Sequence, residues 1–420
     1  MKNRFWQHID WSLIVVYVLL VLFGIMNIYS AEHGEPLSIF SGSLNAGQQI
    51  KWFVVSIVLA ILVLLVDTRF FITFAYYFFA GLMVMLVITY LTAPEIKGAR
   101  SWLVLGGVRL GQTSEFAKFA TVLALAKYFD GFNMTLKNMR SFLTVAGIIL
   151  LPVALVILQN DTGTAIVFFA LALALFREGL SPWLIVLPVV LGAIFITVLL
   201  IGFVNMAISL GILFVLIIGA VLLFKLEKRI LWVSLVAAVV LAGFSYGVNF
   251  AFENVLKIHQ QNRIKVTLGI IEDRNDIGYN VHQSLITIGS GGLSGKGYLQ
   301  GTQTRGAFVP EQTTDFIFCT IGEEFGLLGT FGVVALFLFL LIRIVLLAEA
   351  QKSRFARVYG YGVVSIIFIH FFLNIAMTLG LFPVIGIPLP FFSYGGSSLM
   401  GFTVLLFIFI KMDASMKYYF

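Results

Sequence analysis

Long apolar runs separated by short polar stretches recur along the whole chain. Runs long enough to cross a bilayer, about 17–25 residues each, fall near 12–30, 49–66, 70–92, 141–159, 183–203, 206–224, 230–252, 316–348, 357–381 and 396–412. Two shorter or more polar runs, 114–129 and 161–177, keep helical periodicity and have nowhere else to sit once their neighbours span. The pattern predicts an all-α, polytopic integral membrane protein with about twelve transmembrane helices in a single membrane domain. The first run, Leu13–Tyr29, has no small-residue cleavage site and reads as a membrane helix, not a removable signal. Residues 206–252 read as a helical hairpin, Met206–Phe224 and Ile230–Phe252, turned by Lys-Leu-Glu-Lys-Arg. The hairpin lacks polar residues of catalytic type and is expected to be scaffold. Residues 253–314 read as one large loop, and no fixed-period repeat is present.

Composition narrows the class further. Of 420 residues, 60% are hydrophobic and 11% charged, too much apolar surface for a water-soluble chain of this size to bury. The single cysteine, Cys319, lies in an apolar stretch, which excludes a disulfide framework and argues against a thiol catalyst. A net charge of +7 would suit nucleic acid, but in a membrane chain it marks cytoplasmic loops. With Lys2 and Arg4 cytoplasmic, Arg69, Lys127, Lys137, Arg140, Arg177, Lys225, Lys228, Arg229, Lys352, Arg354, Arg357, Lys411 and Lys417 all fall on the same side. Both ends are therefore expected inside. Two loops on the outer side are basic against that rule: 93–113, with Lys97, Arg100 and Arg109, and 253–314, with Lys257, Arg263, Lys265, Arg274, Lys296 and Arg305. They are either solvated loop surface or an outer site for phosphate or carboxylate.

Polar motifs at the outer ends of spans carry the candidate chemistry. In Gln112-Thr-Ser-Glu-Phe-Ala-Lys118, Ser114 is placed to cap a helix, and Glu115 and Lys118 share a face. That pair either locks two helices together or presents Lys118 to a substrate anion. In Gln159-Asn-Asp-Thr-Gly-Thr-Ala165, Asp161 is placed as an N-cap and could equally hold a cation or orient Lys118. The segment Gly289–Gly297 has five glycines in nine residues. Its backbone could form a simple turn or converge N–H groups on an anion beside Lys296. Phe382–Ser398 has three prolines in eight residues and cannot be a regular helix. Irregular backbone at membrane depth belongs against protein or a wet cavity, whose wall Ser393, Ser397 and Ser398 would suit. No histidine adjoins them in sequence, so a serine nucleophile is not expected.

Asp315 stands where the longest polar interval meets the run at 316–348, with Glu323 and Glu324 deeper in that run. Carboxylates at membrane depth are costly. Asp315 could be a plain N-cap, but this leaves the adjacent Pro310-Glu311 and the basic outer loops unexplained together, so it is taken as the centre of the chemistry. On a continuous helix, 315, 319, 322 and 326 would share a face, and Gly322 and Gly326 would form a groove for close packing or a lipid chain. Glu323 and Glu324 read as support for that helix.

Together the motifs GSGGLSGKG, PEQTTDFIF with IGEEFG, QTSEFAK, QNDTGTA, ARSWL and FPVIGIPLPFFSYGGSS resemble those of the SEDS family of bacterial shape, elongation, division and sporulation proteins. They occur in the family's order, cover most of the chain, and look more like the elongation branch than the division branch. The resemblance implies a peptidoglycan glycosyltransferase that polymerises lipid II on the outer face of the cytoplasmic membrane. Its implied partners are a class B penicillin-binding protein, other membrane proteins of the elongation complex and membrane lipids, with no nucleic acid. It also implies that Asp315 is the essential acid and that Glu115, Lys118 and Asp161 are functional. The family usually has proline at positions 113 and 160, where this chain has Thr113 and Asn160, and a basic residue where it has Ser101. Its usual ten spans would make 206–252 an inserted hairpin.

Such a transfer needs a base for the acceptor hydroxyl, positive charge for the leaving pyrophosphate and grooves for polyprenyl chains. Asp315 is the expected base, with Arg100, Lys118 and Arg109 as pyrophosphate contacts. Glu115, Asp161, Lys296, Glu311, Ser393 and Ser397 complete the expected substrate surface. A divalent cation, Mg or Mn, is compatible with this step. A lipid II flippase and a non-catalytic scaffold are the rival classes.

Overall fold

The computed structural model describes residues 7–32, 39–40, 42–96, 98–105, 108–131, 134–224, 227, 229–256, 258–271 and 278–419, with the backbone alone at 105, 108–110, 259–260 and 418–419. Lys2, Arg4, Lys97, Lys225, Lys228, Lys257 and Arg274, weighed above for sidedness or charge, lie outside the described residues, as does the Arg109 side chain.

The chain divides into two compact units, Met1–Leu180 with Asn280–Phe420, and Ser181–Tyr279. The first holds α1 (Trp11–Ala31), α2 (Asn45–Leu65), α3 (Thr68–Thr92), β1 (Trp102–Leu105), β2 (Val108–Gln112), α4 (Thr113–Phe129), α5 (Met139–Leu158), α6 (Thr162–Phe169) and α7 (Leu171–Arg177). The second holds α8 (Trp183–Ile201), α9 (Phe203–Leu223), α10 (Arg229–Asn254) and α11 (Ile258–Thr267). The chain then returns through α12 (Tyr279–Ser290) to α13 (Thr302–Arg305), α14 (Ile317–Glu349), α15 (Arg354–Thr378) and α16 (Gly396–Tyr419).

Among the described residues, ten helices are long and apolar enough to cross a membrane. The sequence count of about twelve also included 114–129 and 161–177. These are helical, but α4 has only 17 residues and the other run is split into α6 and α7. Side-chain oxygens cap several helices where the sequence supplies them. Asp10 accepts from Leu13 N at 3.3 Å, Asp67 from Arg69 N at 2.8 Å and Asn138 from Arg140 N at 3.1 Å.

The core of the first unit is built on α4, α15 and α16. In α4, Ala117, Ala120, Ala124 and Ala126 are fully buried, and such small residues let neighbouring helices approach closely. The most apolar windows of α15 and α16 are 67% and 89% buried, against 6% for each of α8, α9 and α10. A helix apolar all round is either core or lipid-facing. Helices α8, α9 and α10 therefore present their Val, Leu and Ile side chains to a hydrocarbon solvent. The first and last helices of the first unit meet where Tyr17 Oη and Thr403 Oγ1 lie 2.9 Å apart.

Two features depart from the sequence reading. The loop 93–113 contains an antiparallel β1–β2 hairpin, Trp102 opposite Gln112, with a register shift between Leu103 and Val104. The run 316–348 is not one continuous helix, because α14 breaks at Gly326 (φ 64°, ψ −158°). The glycine-rich segment fills the break. Lys296 N–H and Gly297 N–H donate to the carbonyls of Glu323 and Glu324, each at 3.0 Å, and Leu327 N–H and Leu328 N–H donate to those of Gly292 and Leu293 at 2.9 and 3.1 Å. Backbone groups released by the break are thus re-satisfied, as burial at membrane depth requires.

Candidate functional site

Asp315 lies in a turn, 311–316, just ahead of α14, whose N-cap is Phe316 and has no side-chain cap bond. The N-cap position thus falls to Phe316, one residue after Asp315. Its position is fixed through the backbone: Asn374 Nδ2, from α15, donates to Asp315 O at 2.9 Å and to Ile387 O at 2.8 Å. The carboxylate rests against the proline-rich segment, where a Cβ on Gly386 would sit 3.4 Å from Asp315 Oδ2. Gly386 has φ +70°, so glycine is needed there for the backbone as well as for the space. Glu311, beside it, is exposed and has φ 56°. Its carbonyl accepts from Thr314 N–H at 3.1 Å and Phe316 N–H at 3.2 Å, and its carboxylate accepts from Thr314 Oγ1 at 3.2 Å.

The segment 382–398 is the wall of this site. Ser393 Oγ donates to Thr314 O at 2.6 Å and accepts from Leu389 N–H at 2.9 Å. Tyr394 N–H donates to Thr313 O at 2.9 Å, and Gln49 Nε2 donates to Ser393 O at 3.2 Å. Burial, reinforced by the Glu32 carboxylate, pushes the Tyr394 hydroxyl above its usual range. It stays a donor, to Gln48 Oε1 at 2.8 Å. Two glycines let helices press on this wall: added Cβ atoms would lie 2.5 Å from Phe392 O at Gly24 and 2.4 Å from Ile385 O at Gly163. Ser397 is buried, with its Cβ 3.3 Å from where a Cβ on Gly111 would fall. Phe391, at φ 65°, packs edge-on to Tyr17 at 5.2 Å. Left-handed backbone at Glu311, Phe391 and Asn160 is the kind of local strain that a rigid surround must hold in place.

A second polar cluster joins α4, α6 and α15. Lys118 Nζ donates to Glu115 Oε2 at 2.8 Å and lies 3.0 Å from His370 Nε2 and 4.5 Å over the Phe402 ring. Lys118, Glu115 and His370 are all buried. Asp161 caps α6, with Oδ1 accepting from Thr164 N–H at 3.1 Å and Oδ2 from Thr164 Oγ1 at 2.9 Å. Its Oδ2 also accepts from Gln112 Nε2 at 2.6 Å and Ser114 Oγ at 3.4 Å. Ser114 therefore does not cap α4, whose N-cap is Gln112; its hydroxyl is turned to Asp161. At Asn160, φ 60° lies far from the only value proline allows, so this chain takes a backbone there that the family's usual proline could not.

Other expected contacts have different partners. Lys296 Nζ is 2.6 Å from Glu323 Oε1 and 2.8 Å from Thr302 Oγ1, a structural tie in place of a free anion contact. Glu323 also accepts from Gln303 N–H at 2.9 Å and from Thr304 N–H and Oγ1, each at 2.7 Å. Glu324 accepts from Ser30 Oγ of α1. Both acids organise loop 290–304 and α1, as support does. Within the glycine-rich segment, the N–H groups of Lys296 and Gly297 are spent on carbonyls of α14, and that of Gly295 on Gly291 O at 2.9 Å. The groove expected below Asp315 is filled, because Gly322 packs on Ile288 and Gly326 on Leu293 and Gly295. Arg100 pairs with Glu95 at 3.7 Å, both exposed, while its N–H donates to Gln159 O at 2.9 Å. Arg109 is placed only as a β2 residue opposite Val104. Among the described residues, no group of three or more His, Cys, Asp or Glu could hold a metal ion.

His370 and Asn374 escaped the sequence reading, although both join the site. They sit one turn apart inside the apolar run 357–381, and that pairing of polar residues was the available signal.

A profile of the cell cycle protein family FTSW_RODA_SPOVE matches residues 10–208 and 193–418. The peptidoglycan glycosyltransferase RodA of Treponema pallidum (strain Nichols) is 32% identical over 95% of this chain and 96% of its own. The peptidoglycan glycosyltransferase MrdB of Escherichia coli (strain K12) is 33% identical over 95% and 92%. A chain of a solved peptidoglycan synthase complex, described as coordinating polymerization and crosslinking, superposes with a TM-score of 0.70 at 25% identity, over 97% of this chain and 98% of that one. The fold is also that of Thermus thermophilus RodA, with a TM-score of 0.62 at 24% identity over 97% of each chain.

Proposed function

Since the chain belongs to the FtsW/RodA/SpoVE family of cell cycle proteins, we infer that it is a peptidoglycan glycosyltransferase that polymerises lipid II for cell elongation. The observation that carries the reading is the placement of Asp315. Its backbone is clamped by Asn374, and its carboxylate rests on the Gly386 segment. Asp315 takes the proton of the 4-hydroxyl on one lipid II as that oxygen attacks the anomeric carbon of a second. The bond to the pyrophosphate breaks, undecaprenyl pyrophosphate leaves, and one displacement inverts the α-linked donor to a β-linked glycan. Glu115 holds the Lys118 ammonium, and Asp161 ties the ends of α4 and α6 together. Lys118, Arg100 and Arg109 supply positive charge toward the leaving group.

The site faces outward from the cytoplasmic (inner) membrane, with both chain ends inside. Support comes from the basic residues assigned inside. Arg354 and Arg357 converge on Glu178 at 2.8 and 2.9 Å, and Arg177 meets Glu349 at 2.8 Å. Glu349 is the far end of the helix that starts beside Asp315. A class B penicillin-binding protein is the partner; the solved relative belongs to a complex described as coordinating polymerization with crosslinking, which supports a crosslinking partner here. The hairpin 206–252 is an insertion on a ten-span family core.

The purified protein is expected to form glycan polymer from labelled lipid II in detergent with the partner's own polymerising activity blocked. No polymer, together with lipid II transfer across vesicle bilayers, would make it a flippase; neither activity would leave a scaffold. Lys118→Ala, which strands the buried Glu115, is expected to lower polymerisation about 100-fold. Arg305→Ala, on the exposed side of α13, should leave it near normal. Equal losses at matched expression would remove Lys118 from the site.

A further inference from the structure

We propose that His370 is a positioning residue for the transfer: a neutral imidazole, fixed as its Nδ1–H tautomer, that ties the Lys118 ammonium to the Pro388 carbonyl of the wall behind Asp315. The inference rests on Asp315 being the base. A lysine ammonium only donates, so the imidazole nitrogen 3.0 Å from Lys118 Nζ must accept. The proton then sits on Nδ1, which faces Pro388 O at 3.3 Å. One tautomer satisfies both contacts, and a charged imidazolium would present an N–H to the ammonium. Phe402 completes the enclosure, edge-on to the His370 ring at 4.8 Å. His370 is 0% exposed, so water cannot replace either bond.

One turn along α15, on the same face, Asn374 joins Asp315 O to Ile387 O. Two successive polar residues of one helix thus hold 387 and 388, next to the Gly386 backbone on which the Asp315 carboxylate rests. Lys118 and Asp315 are thereby fixed with respect to one rigid segment. Removing the imidazole frees Pro388 O and one Lys118 donor, and lets that segment shift beneath the carboxylate.

His370→Ala is expected to lower kcat for lipid II polymerisation about 10- to 100-fold with a much smaller change in KM, the cost of about 1 Å of misplacement. His370→Gln keeps one acceptor and one donor on a chain of similar reach and is expected to recover to within about threefold of wild type. Its pH–rate profile between about pH 6 and 8 should follow that of wild type, because a positioning imidazole takes no proton during turnover. Turnover of His370→Ala within about twofold of wild type would overturn the proposal. So would His370→Gln as slow as His370→Ala, or loss of a pH limb in His370→Gln, which would mark a proton carrier. Loss of monodisperse protein in both variants would overturn it as well, by making His370 a fold-stabilising group. Asp315→Asn assayed in parallel separates the two levels. Polymer from that variant removes the base assignment and this inference with it. No polymer from it, with full activity from His370→Ala, removes the inference alone.

Discussion

Asp315→Asn is expected to fold, keep its partner and polymerise no measurable lipid II. The substitution is isosteric; it removes the negative charge and the capacity to take a proton, and exchanges one acceptor oxygen for an NH2 donor. The tie that positions residue 315 runs through its own carbonyl, which accepts from Asn374 at 2.9 Å, and this survives the change. Gly386 leaves room for either side chain. Losing a general base costs about 10²- to 10⁴-fold in rate, enough to empty a gel-based polymer assay. Normal thermal melting in detergent and normal recovery with the penicillin-binding protein would show that the fold is intact. Near-normal polymer from such a sample would remove Asp315 from the base role.

Gly295→Ala is expected to have the largest effect on stability. Its Cβ would fall 2.1 Å from Glu324 O and 2.4 Å from Glu324 C, backbone atoms that cannot turn aside. Residue 295 also sits at φ +80°, where an L side chain is strained. Relief requires the glycine-rich segment to lift off α14. That loses the bonds from Lys296 N–H and Gly297 N–H and strands the carbonyls of Glu323 and Glu324 at the helix break. Overpacking and backbone strain together cost about 3 kcal/mol or more. Gly289→Ala is the control, since an added Cβ there meets nothing within 4 Å. The expected readout is a lower melting temperature, or loss of monodisperse protein, for Gly295→Ala alone. Equal melting of the two variants would mean that the glycine-rich contact does not support the fold.

Much of the architecture was legible because a bilayer allows few solutions. An apolar run of about 20 residues must become a helix with its backbone satisfied internally. The ten long runs are helical, with 316–348 broken by a left-handed glycine and satisfied there from outside. The irregularity of 382–398 could be read from its prolines, and the supporting role of Glu323 and Glu324 from their depth. What stayed hidden depends on contacts far apart in sequence. A helical wheel placed Asp315, Gly322 and Gly326 on one face, but the helix starts two residues after Asp315 and breaks at Gly326. Nothing local distinguishes a break paired with Gly292–Gly297 from a glycine groove open to lipid. Lys296 looked like an anion contact because its true partner, Glu323, is 27 residues away. His370 and Asn374 were lost in an apolar run because hydropathy averages over the window and ignores single polar residues. The β1–β2 hairpin carries too short an alternation to register as strand.

The bond between Tyr17 and Thr403 joins residues 386 apart, and Gly24 presses on Phe392 across nearly the same interval. At about 5–20 residues per second, a ribosome takes on the order of 20–80 s to cover that distance. Throughout that time α1 sits in the bilayer without the segment that its Gly24 receives. Asp315 enters before the wall it leans on has been made, and Glu115 and Lys118 wait far longer for His370. A nascent chain that has not reached residues 382–398 therefore carries every acid of the site without the wall on which Asp315 leans.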